Sequence, residues 1–431
     1  MRHAKRHTKI VATLGPASET PDMIGKLIDA GVNVFRLNFS HGTHDSHRAA
    51  MTAIRAASRE RGKEVAILQD LCGPKVRVGL MSSGAIELKT GGETIVTTDQ
   101  VVGTPARFQT QYEALPRDVR PGEHILLDDG RMELEALSVS GNDIRCAIVR
   151  GGVLKDHKGM NLPGVNVSAP SVTEKDMDDL KMGIAEGVDF VALSFIRRAE
   201  DMIPVREALA AARSKARLIA KIEKPEAVDS PESIEAIVGY ADGIMVARGD
   251  LGIEMPIQRV PTLQKRLIRL ANSRDRYVIT ATQMLESMTV NAIPTRAEVS
   301  DVANAICDGS DAVMLSGETA VGVDPAGVVA MMGAIAGETE EYLKTHRPAW
   351  DWSTRLSREN PVQDALGHAA LRLVQDLDVK AIAVHTPTGG TARFLSKSRP
   401  FVPILAFSCD ADAVRRQNLF WGVTPLHDPG I

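Results

Sequence analysis

Eight short apolar segments, each typical of a buried β-strand, recur along the 431-residue chain and constrain its fold more than any other feature. Segments with the apolar spacing of amphipathic helices separate most of them. Near-continuous apolar strands that alternate with helices indicate parallel strands buried on both faces. Eight such units are the number that closes a (β/α)8 TIM barrel. The predicted strands are 8–15, 32–40, 64–71, 188–195, 216–223, 242–250, 276–283 and 311–318.

The alternative architecture for the same pattern is an open, doubly wound α/β sheet. Dinucleotide-binding sheets of that kind carry a glycine-rich fingerprint directly after their first strand. No such fingerprint follows the segment 8–15. We therefore predict the α/β barrel.

One spacing breaks the repeat and predicts an inserted domain. The 116 residues between Leu71 and Val188 are far more than one connecting helix needs. From about residue 77 the pattern becomes short strands separated by Gly-rich and Asp-Gly turns, which is typical of β-hairpins. We predict a barrel formed by residues 1–75 and 168–345, with an all-β lid domain at 76–167. A domain inserted after a barrel strand lies over the catalytic face.

The two ends of the chain receive separate predictions. Residues 346–431 are predicted to form a short, truncated C-terminal α/β domain, with a linker at 347–361, a helix from about Val362, and strands within 379–386 and 402–408. The basic start of the chain, residues 1–9, has no apolar signal core and is interpreted as a solvated tail.

The composition excludes several classes of protein. The net charge of −4 argues against a nucleic-acid-binding surface built on bulk charge. No apolar run reaches the roughly 18 residues of a membrane span. The four cysteines are widely spaced and predict neither a disulfide framework nor a zinc site. A reducing, cytoplasmic location fits this cysteine usage.

Polar residues end seven of the predicted strands. In a barrel these ends converge on one face, where barrel active sites lie. For any single residue, a solvated strand end is the simpler interpretation, but the set as a whole predicts a site. Its members are Arg36, Asn38, Ser40, Asp70, Ser194, Lys221, Glu223, Arg248, Asp250, Thr280, Thr282, Ser316 and Glu318.

This set suits an anionic, phosphorylated substrate. Glu223 and Asp250 are two hard oxygen ligands, enough for Mg²⁺ or Mn²⁺ when substrate and water complete the coordination. Lys221, which shares a strand face with Glu223, could stabilise charge developing on a phosphoryl group or an enolate. Arg36 offers a bidentate phosphate contact. Gly249 would let its backbone N–H and that of Asp250 approach an anion closely.

The histidines of the segment SHGTHDSH allow two interpretations. Their spacing of three could place His41, His44 and His47 on one helical face as metal ligands. They also fit an exposed first helical turn, and we favour this solvated interpretation. His41 is the possible exception, because it adjoins a strand end that faces the predicted site. No nucleophile–base set suggests covalent catalysis.

Several long motifs resemble the pyruvate kinase family, in order along the barrel. They are TKIVATLGPAS, NVFRLNFSHG, DLCGPKVRVG, KGMNLPG, KIEKPEA, MVARGDLGIE, ATQMLESM, PTRAEVSDVANA and DGSDAVMLSGETA. The resemblance covers roughly residues 7–345 closely and 361–425 more loosely. It implies phosphoryl transfer from phosphoenolpyruvate to ADP, giving pyruvate and ATP, in a cytoplasmic homo-oligomer (a dimer or tetramer).

The resemblance also assigns roles to individual residues. Glu223 and Asp250 would hold Mg²⁺ or Mn²⁺, and Lys221, Arg36 and Thr282 would be catalytic. Thr282, with Ser316 and Glu318 nearby, would belong to the route that protonates the enolate. The implied substrate-binding residues are Arg36, Lys221, Gly249, Asp250 and Thr282. The implied nucleotide-binding residues are Asn38, Phe39, Ser40, His41, Arg77 and Lys158. The implied monovalent-cation site comprises Asn38, Ser40, Asp70 and the carbonyl of Leu71.

Two departures from the family pattern carry expectations of their own. Lys75 stands where many members have an acidic residue, and Leu71 stands where they have threonine. We expect the ammonium group of Lys75 to replace the monovalent cation, so that activity does not require K⁺. The short C-terminal domain lacks the final segment that carries an effector loop in many members, so strong activation by sugar phosphates is not expected.

Two other functions remain open on the residues alone. A metal-dependent aldolase could use Glu223 and Asp250 to stabilise an enolate without a nucleotide. Arg77 and Lys158 in the predicted lid argue against it. A kinase-derived metabolite sensor without activity is the non-enzymatic alternative, but the residues needed for catalysis are all present.

Overall fold

A closed barrel of eight parallel strands forms the centre of the molecule, as predicted. The computed structural model describes residues 6–165, 167–346 and 361–430. The strands are β1 (Lys9–Thr13), β2 (Val34–Asn38), β3 (Ala66–Leu71), β4 (Ala85–Leu88), β5 (Glu93–Thr97), β6 (Arg107–Gln109), β7 (His124–Leu127), β8 (Met132–Ser140), β9 (Asp143–Arg150), β10 (Gly152–Lys155), β11 (Met160–Asn161), β12 (Phe190–Leu193), β13 (Arg217–Ile222), β14 (Gly243–Ala247), β15 (Tyr277–Ala281), β16 (Ala312–Leu315), β17 (Ile382–His385), β18 (Ile404–Ser408) and β19 (Val423–His427). The order of the barrel strands is β1-β2-β3-β12-β13-β14-β15-β16, and β16 pairs with β1 to close the barrel.

Helices surround the barrel and cover the outer faces of its strands. Strands β1, β3, β14 and β15 are buried along their whole length, which explains their continuous apolar sequences. The helices are α1 (Pro21–Ala30), α2 (His44–Arg61), α3 (Leu115–Asp118), α4 (Glu174–Ala185), α5 (Ile203–Ala211), α6 (Pro231–Tyr240), α7 (Arg248–Glu254), α8 (Val260–Ser273), α9 (Arg296–Cys307), α10 (Gly317–Ala320), α11 (Pro325–Thr345), α12 (Pro361–Asp376), α13 (Gly390–Lys397) and α14 (Ala411–Arg416).

The chain between β3 and α4 builds a separate β structure with its own core. Strands β11-β7-β8-β9-β5-β6 form a six-stranded sheet, and β10 pairs with β4. Phe108, Ile125, Leu134 and Ile144 are completely buried within it. The short helix α3 was not expected from the turn-rich sequence.

Both connections between the barrel and this insertion are fastened at one carboxylate. Asp176, in the first turn of α4, accepts hydrogen bonds from the backbone N–H of Gly73 (3.0 Å) and of Thr173 (2.8 Å). Gly73 has a φ of +67°, and a Cβ there would lie 3.0 Å from the ring of Phe195. Glycine is therefore required at this turn. Asp176 thus holds the insertion at the face where β3 ends.

A small C-terminal α/β unit follows the barrel. Strands β17, β18 and β19 form a parallel sheet in that order, and helix α12 begins where a helix was expected. The first two strands were predicted from the sequence, whereas β19 was not. Residues 347–360, which make up almost all of the predicted linker, lie outside the described residues.

The first described residues are buried, so the prediction of a solvated tail is wrong for them. His7 stacks on Trp421 of the C-terminal unit, with ring centroids 4.5 Å apart. The backbone N–H of Thr8 donates to Glu340 (2.6 Å), and Lys9 Nζ donates to the carbonyl of Val423 (2.5 Å). Residues 7–9 therefore join the barrel to the C-terminal unit. Residues 1–5 are outside the described part of the chain.

The buried imidazole of His7 predicts a loss of stability in mild acid. Burial, with the positive charges of Lys9, Lys344 and Arg399, lowers the pKa of His7 from 6.5 to about 4. Between these pH values the unfolded chain binds the proton more readily, so the free energy of unfolding falls as the pH drops. A shift of this size corresponds to about 3 kcal/mol. His7→Phe keeps the stacking and removes the titration.

Urea unfolding of wild type and His7→Phe at pH 4 to 7 measures this effect. The loss of stability between pH 6.5 and 4 should be smaller in the variant. Equal slopes for the two proteins would contradict the prediction. Glu340 is present in both, so its own titration cancels in the comparison.

Neither a membrane-spanning helix nor a disulfide occurs in the described ranges. None of the helices there is both long and apolar enough to cross a bilayer. All four cysteines fall in these ranges and are free thiols, and Cys146 is buried in the core of the insertion.

Candidate active site

Lys221 occupies the centre of the face where the barrel strands end. Its Nζ lies 2.9 Å from Glu223 Oε1 and 3.2 Å from Asp70 Oδ1, and it donates to Ser194 Oγ at 2.7 Å. Asp70 is on β3 and Lys221 on β13, with β12 between them. The ammonium group therefore reaches across one strand to a second carboxylate. Lys221 and Glu223 lie together, as their shared strand face predicted, whereas the contact with Asp70 was not predicted.

Burial and opposite charge set the ionisation of this cluster. Burial disfavours the ammonium form of Lys221, but Asp70 and Glu223 outweigh it and raise its pKa. Burial also opposes the charge on Asp70, whose pKa is nevertheless lowered by Lys221 and Arg36. For Glu223 burial prevails over Lys221 and, together with the nearby charge of Asp250, raises the pKa. Glu223 is thus the carboxylate most in need of an additional positive charge.

Arg36 is fixed beside the same cluster by two contacts. Its Nε donates to Asp70 Oδ2 (2.6 Å), and one terminal nitrogen donates to Thr13 Oγ1 (3.0 Å). The pair is nearly buried, with Arg36 11% and Asp70 1% exposed. Arg36 and Lys221 therefore share Asp70 as a common anionic partner.

Glu223 and Asp250 form a carboxylate pair that fits a divalent ion. Glu223 Oε2 accepts the backbone N–H of Phe195 (2.7 Å), and its buried Oε1 is contacted by Lys221 Nζ (2.9 Å). Asp250 is half-buried in the cleft wall. In the described ranges, no group of three or more His, Cys, Asp or Glu could enclose a metal alone. Two carboxylates that supply only part of a coordination shell suit an ion completed by substrate and water.

The backbone N–H of Gly249 is already engaged. It donates to Thr282 Oγ1 (2.7 Å), and that hydroxyl donates to the carbonyl of Ala281 (2.6 Å). Thr282 and Gln283 have φ values of +68° and +52°, a backbone conformation that costs energy for such residues. The structure thus ties Thr282 to the first turn of α7. An anion would have to compete for this N–H.

Four of the polar strand-end residues contact other protein groups and hold the loops around the site. They are Arg248, Thr280, Ser316 and Glu318. Arg248 pairs with Asp301 (2.7 Å), and Thr280 shares a hydrogen bond with Ser310 (2.7 Å). Glu318 is fully buried and accepts the N–H of Ser316 (2.7 Å). Its other oxygen accepts the N–H of Leu285, so it fastens the loops after β15 and β16 together.

Three of the predicted monovalent-cation ligands have protein partners. Asn38 Oδ1 accepts the N–H of Ser40 (3.1 Å), and the carbonyl of Leu71 accepts the Ser194 hydroxyl (2.8 Å). Asp70 contacts Arg36 and Lys221, as described above. Lys75 is exposed, and its Cε lies beside Gly159 of the insertion. Its charge acts on His41, whose pKa is lowered by burial and by Arg77, Lys75 and Arg36.

Some of the predicted nucleotide-binding residues lie in the insertion and the others in the barrel. Arg77 donates to the carbonyl of His157 (2.9 Å), and Lys158 pairs with Asp128 (2.7 Å), all within the insertion. On the barrel side, Phe39 is buried and stacks on His47, with ring centroids 4.0 Å apart.

The three histidines of SHGTHDSH do not converge. His44 contacts Asp179 (2.7 Å), while the ring of His47 bonds the carbonyl of His41 (2.9 Å). Both His41 and His44 are exposed, in agreement with the solvated interpretation.

A cleft lined by residues of both units separates the insertion from the barrel. Four polar residues of its wall were not predicted: Asn161, Arg197, Lys224 and Glu254. Lys224, Glu254 and Asn161 lie in the motifs KIEKPEA, MVARGDLGIE and KGMNLPG, but no role was predicted for them. Arg197 donates to the carbonyls of Val167 and Ala169 in the second connection to the insertion. Arg197 belongs to none of the motifs.

Comparisons with known proteins agree on one family. The family model for the pyruvate kinase barrel domain matches residues 5–329, and that for the pyruvate kinase alpha/beta domain matches residues 364–429. Pyruvate kinases of Staphylococcus aureus strains MRSA252 and USA300 are each 46% identical over 427 residues, covering 99% of this chain and 72% of theirs. The crystal structure of a pyruvate kinase from Cryptosporidium parvum superposes with a TM-score of 0.89 at 35% identity, over 99% of this chain and 88% of that one.

Proposed function

The chain belongs to the pyruvate kinase family, and on that premise we propose that it transfers the phosphoryl group of phosphoenolpyruvate to ADP, giving pyruvate and ATP as the last step of glycolysis. The buried contact of Lys221 with Asp70 and Glu223 carries this proposal. In the proposed reaction this charged ammonium group stabilises the negative charge that develops on a phosphoryl group or an enolate. A charge that is already fixed in a site shielded from water stabilises the transition state without any reorientation of solvent or side chains during the reaction.

Each remaining polar group has a role in this reaction. Arg36, held by Asp70 and Thr13, presents its free nitrogen to the phosphate. Glu223 and Asp250 would hold Mg²⁺ or Mn²⁺, which supplies charge neutralisation for the phosphoryl oxygens. The Thr282 hydroxyl, beside Gly249, would orient the substrate and, on releasing the carbonyl of Ala281, pass a proton toward the enolate.

The insertion supplies the nucleotide side of the proposal. Arg77 and Lys158 of the insertion would bind the phosphates, and Asn38, Phe39, Ser40 and His41 of the barrel would contribute the rest of the nucleotide site. Lys158 now pairs with Asp128, so an incoming polyphosphate would exchange that carboxylate for its own oxygens. A barrel aldolase has no use for this arrangement, and the nucleotide-dependent reaction is therefore favoured.

A coupled assay tests the proposal directly. Purified protein with phosphoenolpyruvate, ADP and Mg²⁺ should form pyruvate and ATP in equal amounts. Omission of ADP should abolish the pyruvate signal. Release of pyruvate without ADP, or no release at all from folded protein, would contradict the proposed function.

We further propose that the activity does not require K⁺. Asp70 is already neutralised by Lys221 and Arg36, and Lys75 adds a positive charge that acts at His41. Wild type should therefore work in buffer whose only monovalent cation is a bulky organic one. Lys75→Glu should become dependent on K⁺, with activation of about tenfold, the factor that about 1.4 kcal/mol produces.

Lys89→Glu is the matched control for this experiment. Lys89 is exposed in the insertion outside the cleft wall, so the same charge change should leave K⁺ dependence absent. Loss of most wild-type activity without K⁺, restored by adding it, would refute the proposal for Lys75.

Two broader properties also remain proposals. A homo-oligomer, either dimer or tetramer, is supported by an exposed apolar patch of Val290, Ile293, Val321 and Val323, each at least 60% exposed. The N–H of Val323 bonds the carbonyl of Thr289, so the two loops that form the patch are joined. A cytoplasmic location is supported by the four free thiols.

A further inference from the structure

Three side chains from different elements meet where the insertion contacts the barrel. Glu254 Oε1 accepts hydrogen bonds from Asn161 Nδ2 (2.9 Å) and from Lys224 Nζ (2.8 Å). The side chain of Glu254 is 1% exposed and that of Lys224 is 11% exposed. We call Asn161, Lys224 and Glu254 the latch cluster. Its contacts are shielded from water, so they are stronger than the same contacts on the surface.

The latch cluster is attached to both segments that carry the metal-binding carboxylates. Lys224 directly follows Glu223 at the end of β13, and Glu254 lies one turn after Asp250 in α7. Asn161 belongs to β11 and is paired with Leu126 in the sheet of the insertion. A single carboxylate thus connects the insertion to the two segments.

The environment of Glu254 favours a docked insertion. Its second oxygen, Oε2, is buried and accepts no hydrogen bond. If Asn161 moved away, the carboxylate would keep Lys224 as its one remaining donor. A buried carboxylate with few donors is costly, so the Asn161 contact stabilises the docked arrangement. Lys224 also lies 5.9 Å from the ring centroid of Phe195, whose N–H holds Glu223.

We propose that Glu254 is a positioning residue that couples docking of the insertion to the spacing of Glu223 and Asp250. When the insertion closes on the barrel, Asn161 completes the contacts of Glu254 and fixes α7 against the end of β13. The two carboxylates then lie where a shared divalent ion can bind them. The latch cluster acts through these carboxylates, so the inference rests on the proposed function. Closing of a domain over a barrel site commonly completes the catalytic arrangement in this way.

Asn161→Asp is the first test, because it keeps the shape and replaces a donor with a second carboxylate. Repulsion from Glu254 should undock the insertion. The affinity for Mn²⁺, measured by electron paramagnetic resonance in the absence of substrates, should fall at least tenfold. Backbone amides of residues 157–165 and 250–258 should exchange with deuterium faster. Asn161→Ala, which removes the donor without adding charge, should give the same changes at smaller size.

Asn142→Asp is the matched control. Asn142 Nδ2 also donates to a carboxylate, Asp99 Oδ1 (2.8 Å), but both residues lie within the insertion. The Asn142→Asp variant should bind Mn²⁺ with the affinity of wild type. Its rates of deuterium exchange in residues 157–165 and 250–258 should also equal those of wild type.

The double variant Asn161→Asp, Glu254→Gln separates positioning from general damage. In this variant the amide of residue 254 can donate to the carboxylate of residue 161. The hydrogen bond between the two positions can therefore form again in the reverse direction. Most of the Mn²⁺ affinity lost in Asn161→Asp should return. Wild-type affinity and exchange in both single variants would overturn the proposal, as would losses that the double variant does not restore. These measurements need no turnover, so they are independent of whether wild type forms pyruvate.

Discussion

Lys221→Met should lower kcat by about three orders of magnitude while phosphoenolpyruvate and Mg²⁺ still bind. The ammonium group lies between Asp70 and Glu223 and is not available to neutralise the substrate fully before charge develops. Its contribution is therefore concentrated in the transition state, which lowers kcat more than it raises KM. Removing one preorganised donor commonly costs about 10²–10³ in kcat, and a full charge contributes more. Steady-state kinetics and calorimetric titration measure the two effects separately.

The same substitution should also change stability. Methionine leaves Asp70 and Glu223 buried without the ammonium group between them, and breaking a buried pair costs about 3–5 kcal/mol. Asp70 keeps Arg36, so Glu223 is expected to take up a proton. The variant should then be less stable at high pH than at low pH relative to wild type. Urea unfolding at pH 6 and pH 9 measures this difference.

Lys215→Met is the control for both effects. Lys215 pairs with Asp410 at 2.8 Å, but its side chain is 55% exposed and far more hydrated. Its loss should leave kcat and the pH dependence of stability as in wild type. A Lys221→Met protein that folds and turns over normally, or one that loses only substrate affinity, would show that the assignment is wrong.

Glu223→Gln should weaken Mg²⁺ binding and turnover together while the fold is retained. The amide oxygen can still accept the N–H of Phe195, so the local backbone should keep its shape. The charge that holds the ion is lost, and even outer partners of metal sites change affinity by about 10–100-fold. Direct Mn²⁺ binding and the Mg²⁺ dependence of kcat should shift in parallel.

Glu235→Gln is the matched change on the surface. Glu235 pairs with Arg274 at 2.9 Å on the outside of the barrel and should affect neither measurement. If Glu223→Gln reached normal turnover at low Mg²⁺, the shared-ion assignment for Glu223 and Asp250 would have to be abandoned.

The barrel and its catalytic face were predictable because their signals are local. Eight buried strands need eight apolar segments, and the polar residue that ends each segment must lie at the same rim once the strands are parallel. The alternation of side chains along a strand put Lys221 and Glu223 on one face before any fold was known. The insertion was equally visible, since Asp-Gly turns and short strands replace helices between β3 and α4.

The roles of individual strand-end residues were less predictable. Thr280, Arg248 and Glu318 lie at or just after the ends of barrel strands, as Lys221 does, yet they contact Ser310, Asp301 and backbone N–H groups. A strand end has room for side chains that face the cleft and for others that fasten the neighbouring loop. Only the packing of adjacent loops decides between them.

The sequence by itself determined the barrel, the inserted β structure and the presence of Lys221, Glu223 and Asp250 at one rim. The tertiary structure alone decided that Lys221 reaches across β12 to Asp70, that His7 is buried against Trp421, and that Asn161 meets Glu254. The physical reason is distance along the chain. Periodicity fixes the face of each residue within its own strand or helix, whereas contacts between distant elements depend on closure of the barrel and docking of the other two units.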